Sequence, residues 1–455
     1  MADDGTHHVV DAPLPAAPSI LNDRPIGVRS AYGRRGGRGG RGGRGGRGGG
    51  GRSSSTGGHR PPSSRAPESV DIFSPIPNCD RVYTAYDVAS VDGGAAAATT
   101  SPFRVVSFNV LADYLATSRD GNLGHSHPSQ AFKFQWAFRC TRLLREILTW
   151  NAAVICLQEV DHFEDFFEPE LRKYGYVGKH KQRTGAETHD GCSIFVKEDL
   201  FQIEAEIELE FHQPGHAILD RHNVALALSL TYKPTKDTVV VATTHILFNP
   251  RRGDVKLAQM QLLLSTLHAL NIPHVILCGD FNVTPKSALY AFLSKGRLDG
   301  TTVYTGDASG QFAHRNSYFH NDVHDEEGDQ GVDGGCVTRH QGNGTAAYRF
   351  DAPSSRRSRR PHPPHECLGV HAVHELPLAS AYAQHPTAET SGEPFATSYH
   401  DRFLGTVDYI WYANVVCVGV VELPPVSFFR NIRSLPTRDL GSDHVSLVAD
   451  FAFGA

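Results

Sequence analysis

Short apolar runs alternate with helical patterns along the chain from residue 103 onward. The runs predict β-strands and read FRVVSFNV, AVICLQEV, CSIFVK, VALALSLTY, TVVVATTHI, HVILCGDFNV, TVDYIWY and HVSLVADFAF. In residues 132–150 and 254–270, apolar side chains recur at helical spacing, which predicts two helices that each bury one face. Strands that alternate with helices in this way are typical of packed α/β layers.

Two segments lack this pattern. Residues 1–100 contain RRGGRGGRGGRGGRGGGGRSSSTGG, and residues from about 305 to 375 pass through NDVHDEEGDQGVDGG and SSRRSRRPHPPH. Such compositions bury too little apolar surface to offset the entropy of ordering. We therefore predict a disordered RGG-rich tail at 1–100 and a catalytic domain at 101–455, with a disordered insertion at about 305–375. The irregular spacing of histidines in the insertion favours solvated loop residues over metal ligands.

The overall charge says less about binding partners than its distribution does. Lys and Arg number 44 against 49 Asp and Glu, so the net charge of −5 does not by itself indicate a polyanion-binding protein. The arginines of the RGG tract can contact phosphates and stack on bases, which predicts binding to RNA. Arginine methyltransferases are the other expected partners of this tract, and a solubilising tail is the alternative.

Cysteine spacing and the length of the apolar runs bear on the compartment. The 8 cysteines show no spacing typical of metal ligands, so we expect free thiols in a reducing compartment. The N-terminal residues show no apolar core of signal-peptide length, and no later run approaches the 18 apolar residues of a membrane span, so no membrane partner is expected. These features predict a cytoplasmic protein with access to the nucleus. Organelle targeting is a minor alternative, because residues 24–65 are rich in Arg and Ser and lack acids.

Polar residues stand at the ends of several of the apolar strands. They are Asn109, Glu159, His245, Asp280, Asn282, Asp408, Asp443 and His444. A buried amide or carboxylate is costly unless it is paired or bound to a metal, and strand ends that meet at one rim of a sheet are where catalytic residues gather. Each residue alone is a weak signal, since a turn or a helix cap explains Asn109 or Asp443 about as well as catalysis does, so the argument rests on the ordered set.

The residue types of this set suit phosphoryl cleavage. Carboxylate and amide oxygens bind Mg²⁺, histidines can meet a phosphate, and a carboxylate can handle an attacking water. The chain shows no Ser or Cys nucleophile in a recognisable elbow. Direct attack by water is therefore favoured over a covalent intermediate.

The ordered motifs SFNVLA, LQEV, TTHILFNP, CGDFNVTP, GTVDYIWY and GSDH resemble those of the endonuclease/exonuclease/phosphatase family over residues 103–453. The resemblance implies an α/β fold, a two-sheet β-sandwich flanked by helices in four DNase-like layers, with the active site at one edge of the sheets. It also implies that Asn109 and Glu159 bind Mg²⁺, with Asp408 near the metal and Mn²⁺ as a substitute.

The same resemblance implies roles for the other strand-end residues. Asp280 would orient or deprotonate the attacking water, and Asn282 would hold the water and the scissile phosphate. His245 and His444 would stabilise charge on the phosphate, and Asp443 would fix the imidazole of His444.

The block THILFNPRRGDVKLAQ, with RTGAETHDGCSIFVK upstream, is similar to the carbon catabolite repressor protein 4 deadenylases and to nocturnin. This resemblance implies a 3′-to-5′ exoribonuclease specific for poly(A) that releases 5′-AMP. It further implies that Pro250, Asn282 and Phe403, with His245, contact the terminal nucleotide. A core ring beside a strand is the alternative for Phe403.

The RGG tract stands where the complex-bound deadenylase carries leucine-rich repeats. The chain therefore resembles a plant-type homologue without the repeats, for which docking to that complex is not expected. Two other functions stay open at the level of sequence. One is a nocturnin-like phosphatase that acts on a nicotinamide dinucleotide, and the other is an RNA-binding scaffold that has lost its activity.

Overall fold

The computed structural model describes residues 70–77, 79–87, 101–117, 128–314, 366–383 and 392–454. Every described residue belongs to one compact unit, Ser64–Ala455. The RGG tract and the acidic and basic stretches of the predicted insertion lie outside the described residues.

The described residues form strands that alternate with helices. The strands are β1 (Tyr83–Ala85), β2 (Phe103–Asn109), β3 (Val154–Gln158), β4 (Tyr176–Gln182), β5 (Gly191–Lys197), β6 (Phe201–Glu210), β7 (Val224–Tyr232), β8 (Thr238–His245), β9 (His274–Asp280), β10 (Arg297–Asp299), β11 (His371–Val373), β12 (Ala379–Ser380), β13 (Ser398–His400), β14 (Phe403–Gly405), β15 (Asp408–Ala413), β16 (Val416–Val421) and β17 (Leu447–Ala452). The α-helices are α1 (Asp113–Thr117), α2 (Trp136–Thr149), α3 (Glu168–Arg172), α4 (Gly253–Ala269), α5 (Ala288–Lys295) and α6 (Val426–Asn431). Shorter helical turns are Pro128–Phe134, Phe163–Phe167, Gly300–Thr302, Thr305–Asp307 and Gln311–His314.

Most of these strands belong to two large mixed sheets. The first sheet has the order β1-β16-β17-β2-β3-β5-β4 and the second has the order β12-β15-β9-β8-β7-β6. In each sheet one central pair is parallel, β2 with β3 and β8 with β9, and the flanking pairs are antiparallel. The strands β10 with β11 and β13 with β14 form separate two-stranded pairs.

Alternate residues of the central strands face different apolar clusters. Val105 packs between the two sheets, whereas its neighbour Val106 packs under α2. In the second sheet Val241 packs between the sheets and Val240 packs under α4. Because successive side chains of a strand point to opposite faces, each sheet is buried on both sides. This confirms the predicted four layers of helix, sheet, sheet and helix.

The predicted domain boundary at residue 100 is wrong. Tyr83–Ala85 pair antiparallel with Gly419–Val421. Arg81 donates hydrogen bonds to the carbonyl oxygens of Glu422, at 2.8 Å, and Ser446, at 2.7 Å. Residues 70–87 therefore pack onto the catalytic domain, and a truncation at residue 100 would remove β1. A strand of 3 residues is too short to show a period in the sequence.

The predicted insertion is also too long at both ends. Residues 305–314 form short turns, and His371–Val373 pair with Arg297–Asp299. Short turns and a three-residue strand carry no periodic pattern that a sequence could reveal.

The two predicted helices differ in how well their starts were placed. The helix predicted at 254–270 runs from Gly253 to Ala269, whereas the one predicted at 132–150 begins only at Trp136. Gln135, with extended backbone, separates it from the turn Pro128–Phe134. Within the described part of the chain, no helix combines the length and apolar character needed to cross a membrane.

Candidate active site

Strand ends from both sheets meet at one edge of the sandwich. His245 and Asp280 are register partners at the ends of β8 and β9, and Asp280 is also the register partner of Asp408 at the start of β15. In the first sheet Asn109 ends β2, and Glu159 directly follows the parallel strand β3. The two parallel pairs therefore direct their carboxyl ends to the same edge, as the strand pattern predicted.

Asn109 connects the two sheets through its carboxamide. Its Nδ2 donates to Oε1 of Glu159, at 2.8 Å, and lies 3.2 Å from Oδ2 of Asp280. Its Oδ1 accepts a hydrogen bond from the backbone N–H of Leu111, at 3.0 Å. Because the nitrogen faces the carboxylates, Asn109 holds Glu159 and Asp280 together by hydrogen bonds. A role as a metal ligand would require its oxygen and stays a prediction.

His444 is held by Asp408 and not by its sequence neighbour. Nδ1 of His444 lies 2.8 Å from Oδ2 of Asp408, and the same oxygen accepts a hydrogen bond of 2.6 Å from Oγ1 of Thr397. Oδ1 of Asp443 is 4.0 Å from Nε2 of His444. The prediction that Asp443 fixes this imidazole is therefore wrong, because the chain turns after Asp443 and directs Nδ1 toward β15. Nε2 of His444 faces Oδ2 of Asp280, at 3.8 Å.

His245 lies between the carboxylates of the two sheets. Its Nε2 is 3.6 Å from Oδ2 of Asp280, and its Nδ1 is 3.8 Å from Oε1 of Glu159. Nδ2 of Asn282 lies 3.2 Å from Nε2 of His245. The backbone N–H of Asn282 donates to Oδ1 of Asp280, at 2.9 Å. The loop after β9 thus fixes one oxygen of Asp280 and leaves the other facing both histidines.

Three residues of the site adopt a left-handed backbone conformation. Leu111 and Glu159 have φ of 58°, and Asn282 has φ of 51°. Asparagine tolerates this region, whereas leucine and glutamate rarely occupy it unless neighbouring contacts hold them there. Val160, the residue after Glu159, is held by a hydrogen bond of 3.0 Å from its N–H to the carbonyl of Gly191. The turn aims the Glu159 carboxylate at the junction of the two sheets.

Burial and mutual repulsion shift the pKa values of the site. Burial raises the pKa of Glu159 to about 7, and the charge of Asp443 adds to the effect. Burial raises the pKa of Asp280 to about 6, with Asp408 as the second cause. Burial alone would lower the pKa of His444, but Asp408 and Asp443 outweigh it and hold that pKa well above its usual value. The junction is thus a region of concentrated negative charge.

These side chains have the composition and spacing of a divalent-metal site. Glu159, His245 and Asp280 place possible ligand atoms within 4.8 Å of one another, and so do Asp280, Asp408 and His444. Oδ1 of Asp408 is buried without a hydrogen-bond partner among the described residues. A divalent cation would relieve both this deficit and the carboxylate repulsion, and oxygen donors of this kind suit it.

A cleft of about 200 Å³ opens above this junction. Its lining includes the polar residues of the junction, Glu159, His245, Asp280, Asn282, Asp443 and His444. It also includes Leu115, Arg183, Phe248, Gln311, Arg402 and Phe403. The structure therefore brings Asn282 and Phe403 into one cleft with the catalytic candidates. Pro250 is half-buried beside the cleft but does not belong to its lining.

The family model described as Endonuclease/Exonuclease/phosphatase matches residues 106–444, which contain every strand end of this junction. The chain belongs to the endonuclease/exonuclease/phosphatase family. Family membership makes it a hydrolase of phosphodiesters or phosphate esters. It also agrees with the two-sheet sandwich and with the cluster of acidic residues and histidines at its edge.

Individual relatives specify the branch of the family. Carbon catabolite repressor protein 4 homolog 3 of Arabidopsis thaliana is 35% identical over 363 residues, which cover 77% of this chain and 75% of the relative. Protein angel homolog 2 of Homo sapiens is 31% identical over 381 residues, covering 77% of this chain and 69% of the relative. The crystal structure of ANGEL2, a 2′,3′-cyclic phosphatase, is 27% identical with a TM-score of 0.62 and covers 82% of this chain and 99% of that chain. These similarities confirm the predicted branch.

Several residues that line the cleft were not predicted from the sequence as site residues. Arg183 and Phe248 lie inside recognised motifs: Arg183 is the first residue of RTGAETHDGCSIFVK, and Phe248 lies within TTHILFNP. Arg402 precedes Phe403, and Gln311 lay in the predicted insertion. Only a structure shows that Gln311 reaches the cleft, because no strand-end pattern marks it.

The loop that carries Asp443 and His444 is held by three buried arginines of α2. Arg139, Arg142 and Arg145 donate hydrogen bonds to backbone carbonyls of residues 438–441, at 3.3, 2.6 and 2.6 Å. A spacing of three residues places them on one face of the helix. The helix predicted from apolar spacing thus also positions the last motif of the family.

Proposed function

We propose that this chain is a Mg²⁺-dependent 3′-to-5′ exoribonuclease that prefers poly(A) and releases 5′-AMP by direct attack of water. The observation that carries the proposal is the joint lining of one cleft. Phe403, a base-sized aromatic ring, lines the same cleft of about 200 Å³ as Asp280 and His444. A nucleotide must leave the base stack to enter such a cleft, so an unpaired 3′ end is the favoured substrate.

Each side chain of the junction has a task in this reaction. A divalent ion bound by Glu159 and its neighbouring carboxylates would polarise the phosphate and neutralise charge that develops on it. Because Asn282 holds Oδ1 of Asp280, Oδ2 is the atom that accepts a proton from the attacking water. Because its raised pKa keeps the imidazole protonated, His444 donates from Nδ1 to Asp408 and presents Nε2–H in the cleft as a donor to a phosphoryl oxygen.

The preference for adenosine rests on the lining of the cleft. Stacking of a base on an aromatic side chain contributes about 1 to 3 kcal/mol, and differences in stacking strength give a modest preference among bases, which favours the larger ring system of adenine. Phe403 is 7% exposed and Phe248 is 42% exposed, so two rings of different accessibility line the site. The similarity to the carbon catabolite repressor protein 4 homologues supports poly(A) as the natural polymer.

A second candidate is removal of a 2′,3′-cyclic phosphate from an RNA end. The observation that favours it is the similarity to ANGEL2, whose crystal structure is described as a 2′,3′-cyclic phosphatase in complex with adenosine-2′,3′-vanadate. Both candidate reactions take place at the 3′-terminal nucleotide. The same cleft would serve either one.

One experiment separates the candidates. The full chain is incubated with Mg²⁺ and a 5′-labelled RNA that ends in an oligoadenosine tail, with either a free 3′-hydroxyl or a 2′,3′-cyclic phosphate. A ladder of shortened products from the free 3′-hydroxyl supports the exonuclease. Loss of the cyclic phosphate without shortening assigns the phosphatase. A parallel reaction contains NADPH in place of RNA, and release of phosphate in that reaction alone would move the assignment to a dinucleotide.

A further inference from the structure

A relay of buried hydrogen bonds reaches Asn282 from the first turn of α4. Lys256, which is fully buried, donates from Nζ to Oε1 of Gln311 at 2.5 Å. The same ammonium lies 2.7 Å from the backbone oxygen of Asn282 and 3.2 Å from that of Phe248. Nε2 of Gln311 then donates to Oδ1 of Asn282, at 3.1 Å.

The ammonium group sets the direction of every hydrogen bond in this relay. An ammonium can only donate hydrogen bonds, so the Gln311 carboxamide must face it with its oxygen, Oε1, as the acceptor. Nε2 of Gln311 then points toward Asn282. Because Nε2 also only donates, Asn282 must face it with its own oxygen, Oδ1. Nδ2 of Asn282 must then face the carbonyl of Ile246, at 3.0 Å, and Nε2 of His245, at 3.2 Å. Lys256 and Gln311 thus dictate which way the Asn282 carboxamide points.

Gln311 is held rigidly enough to transmit this orientation. Oγ of Ser309 donates to its Oε1, at 3.2 Å, and the carbonyl of Ser309 accepts a hydrogen bond of 2.9 Å from the N–H of Thr284. Gly310 has φ of 72°, and a Cβ on it would lie 2.2 Å from Oγ1 of Thr284. Only glycine fits so close to the turn that follows Asn282.

We propose that Gln311, oriented by Lys256, is a positioning residue that fixes the carboxamide of Asn282 for the reaction. The inference rests on the proposed function and on the role that the family resemblance implies for Asn282, which is to hold the attacking water and the scissile phosphate. A reversed carboxamide would set Oδ1 against the carbonyl of Ile246 and against an anionic substrate, which is unfavourable on both sides. Gln311 therefore acts through Asn282 and needs no contact with the substrate.

The test uses Gln311→Glu in the full chain, because the new carboxylate keeps an acceptor for Lys256 but loses the donor to Asn282. The kcat for the preferred RNA end falls about 10- to 100-fold, while KM changes less than about twofold, because geometry at the reacting centre is lost and binding is not. Gln311→Met, which keeps the length without polar atoms, gives the same loss. Gln202→Glu, the same change at an exposed position of β6, leaves both constants unaltered.

Two results overturn the proposal. The first is a wild-type kcat in Gln311→Glu. The second is a fall in kcat on adding Gln311→Glu to Asn282→Ala that is as large as the fall on adding it to the wild type. A residue that acts through Asn282 has no effect once the Asn282 carboxamide is gone. If the wild type hydrolyses neither RNA end, the proposed function fails separately. Neutron diffraction of the full chain, which distinguishes the oxygen of a carboxamide from its nitrogen, then decides the relay: a carboxamide of Asn282 turned in Gln311→Glu supports it, and an unchanged one contradicts it.

Discussion

Nδ1 of His444 lies 2.8 Å from Oδ2 of Asp408, two residues that are 36 positions apart in the sequence. Asp408 belongs to the second sheet, where Asp280 is its register partner, and His444 precedes the last strand of the first sheet. The contact therefore links the two sheets at the cleft. The geometry of the hydrolytic site therefore depends on how the two sheets pack against each other.

The roles of the two aspartates near His444 can be separated. Asp408→Asn keeps an oxygen that can accept hydrogen bonds from Thr397 and His444 but removes the negative charge. We expect kcat to fall about 100-fold, because loss of a side chain that orients a functional histidine commonly has an effect of this size. Asp443→Asn removes a more distant charge, and kcat falls less than about tenfold. Steady-state kinetics of the two variants decide the order. A larger loss in Asp443→Asn would restore the role that the sequence analysis gave to Asp443.

Glu159 offers a direct test of metal binding. Glu159→Gln removes a charge without changing the size of the side chain, so Mg²⁺ no longer stabilises the folded state, and hydrolysis falls by more than about 100-fold. Thermal melting with and without Mg²⁺ gives the first readout. Exposed Glu204→Gln on β6 is the matched control and keeps the wild-type shift. A variant that melts and turns over like the wild type would remove Glu159 from the metal site.

Phe403 is expected to read the terminal base. Phe403→Leu preserves burial but removes the aromatic face, and the ratio of kcat/KM for adenosine-ended over uridine-ended RNA drops by about threefold or more, since stacking contributes about 1 to 3 kcal/mol. Phe292→Leu, which alters a buried ring of α5, controls for lost packing and leaves the ratio unchanged. An unchanged ratio in Phe403→Leu would mean that this ring only packs.

A carboxylate outside the cleft should give the fold a pH dependence. Burial raises the pKa of Glu393 to about 7, and its Oε1 accepts a hydrogen bond of 2.7 Å from the hydroxyl of Tyr290. The folded chain thus binds this proton more tightly than the unfolded chain, so stability falls as pH rises from about 4.5 to about 7 and stays lower above that. Glu393→Gln removes the effect, and its advantage in the free energy of unfolding approaches about 3 kcal/mol at pH 8 and is small near pH 4.5. Chemical denaturation at both pH values measures it; equal stabilities at pH 8 would contradict the burial of this charge.

The residue pattern predicted packed α/β layers with polar side chains at the strand ends, and the family resemblance supplied the two-sheet sandwich. A nearly continuous apolar run such as FRVVSFNV marks a strand buried on both faces, and Asn109 interrupts it where another polar group or a metal must compensate. An apolar run with a polar residue at one end can be recognised from a few neighbouring positions in the sequence. Glu159, Asp280 and His444 each stand in such a local pattern.

What the sequence did not reveal depends on distant contacts. Asp408 and Asp443 are equally plausible partners of His444 until the register of β9 with β15 is known. Gln311 stands in a segment without periodicity, and its role depends on Lys256, which is 55 positions away. Tertiary packing decides such pairings, and a single sequence holds no local sign of them.

The central claim is that the junction of Glu159, Asp280 and His444 hydrolyses the 3′ end of RNA with the help of a divalent metal. The most direct measurement is product analysis of a 5′-labelled RNA with an oligoadenosine tail, incubated with the wild-type chain in Mg²⁺ or in EDTA and with Asp280→Asn in Mg²⁺. We predict attack at the 3′ end only for the wild type in Mg²⁺. Hydrolysis that persists in EDTA or in Asp280→Asn would contradict the account.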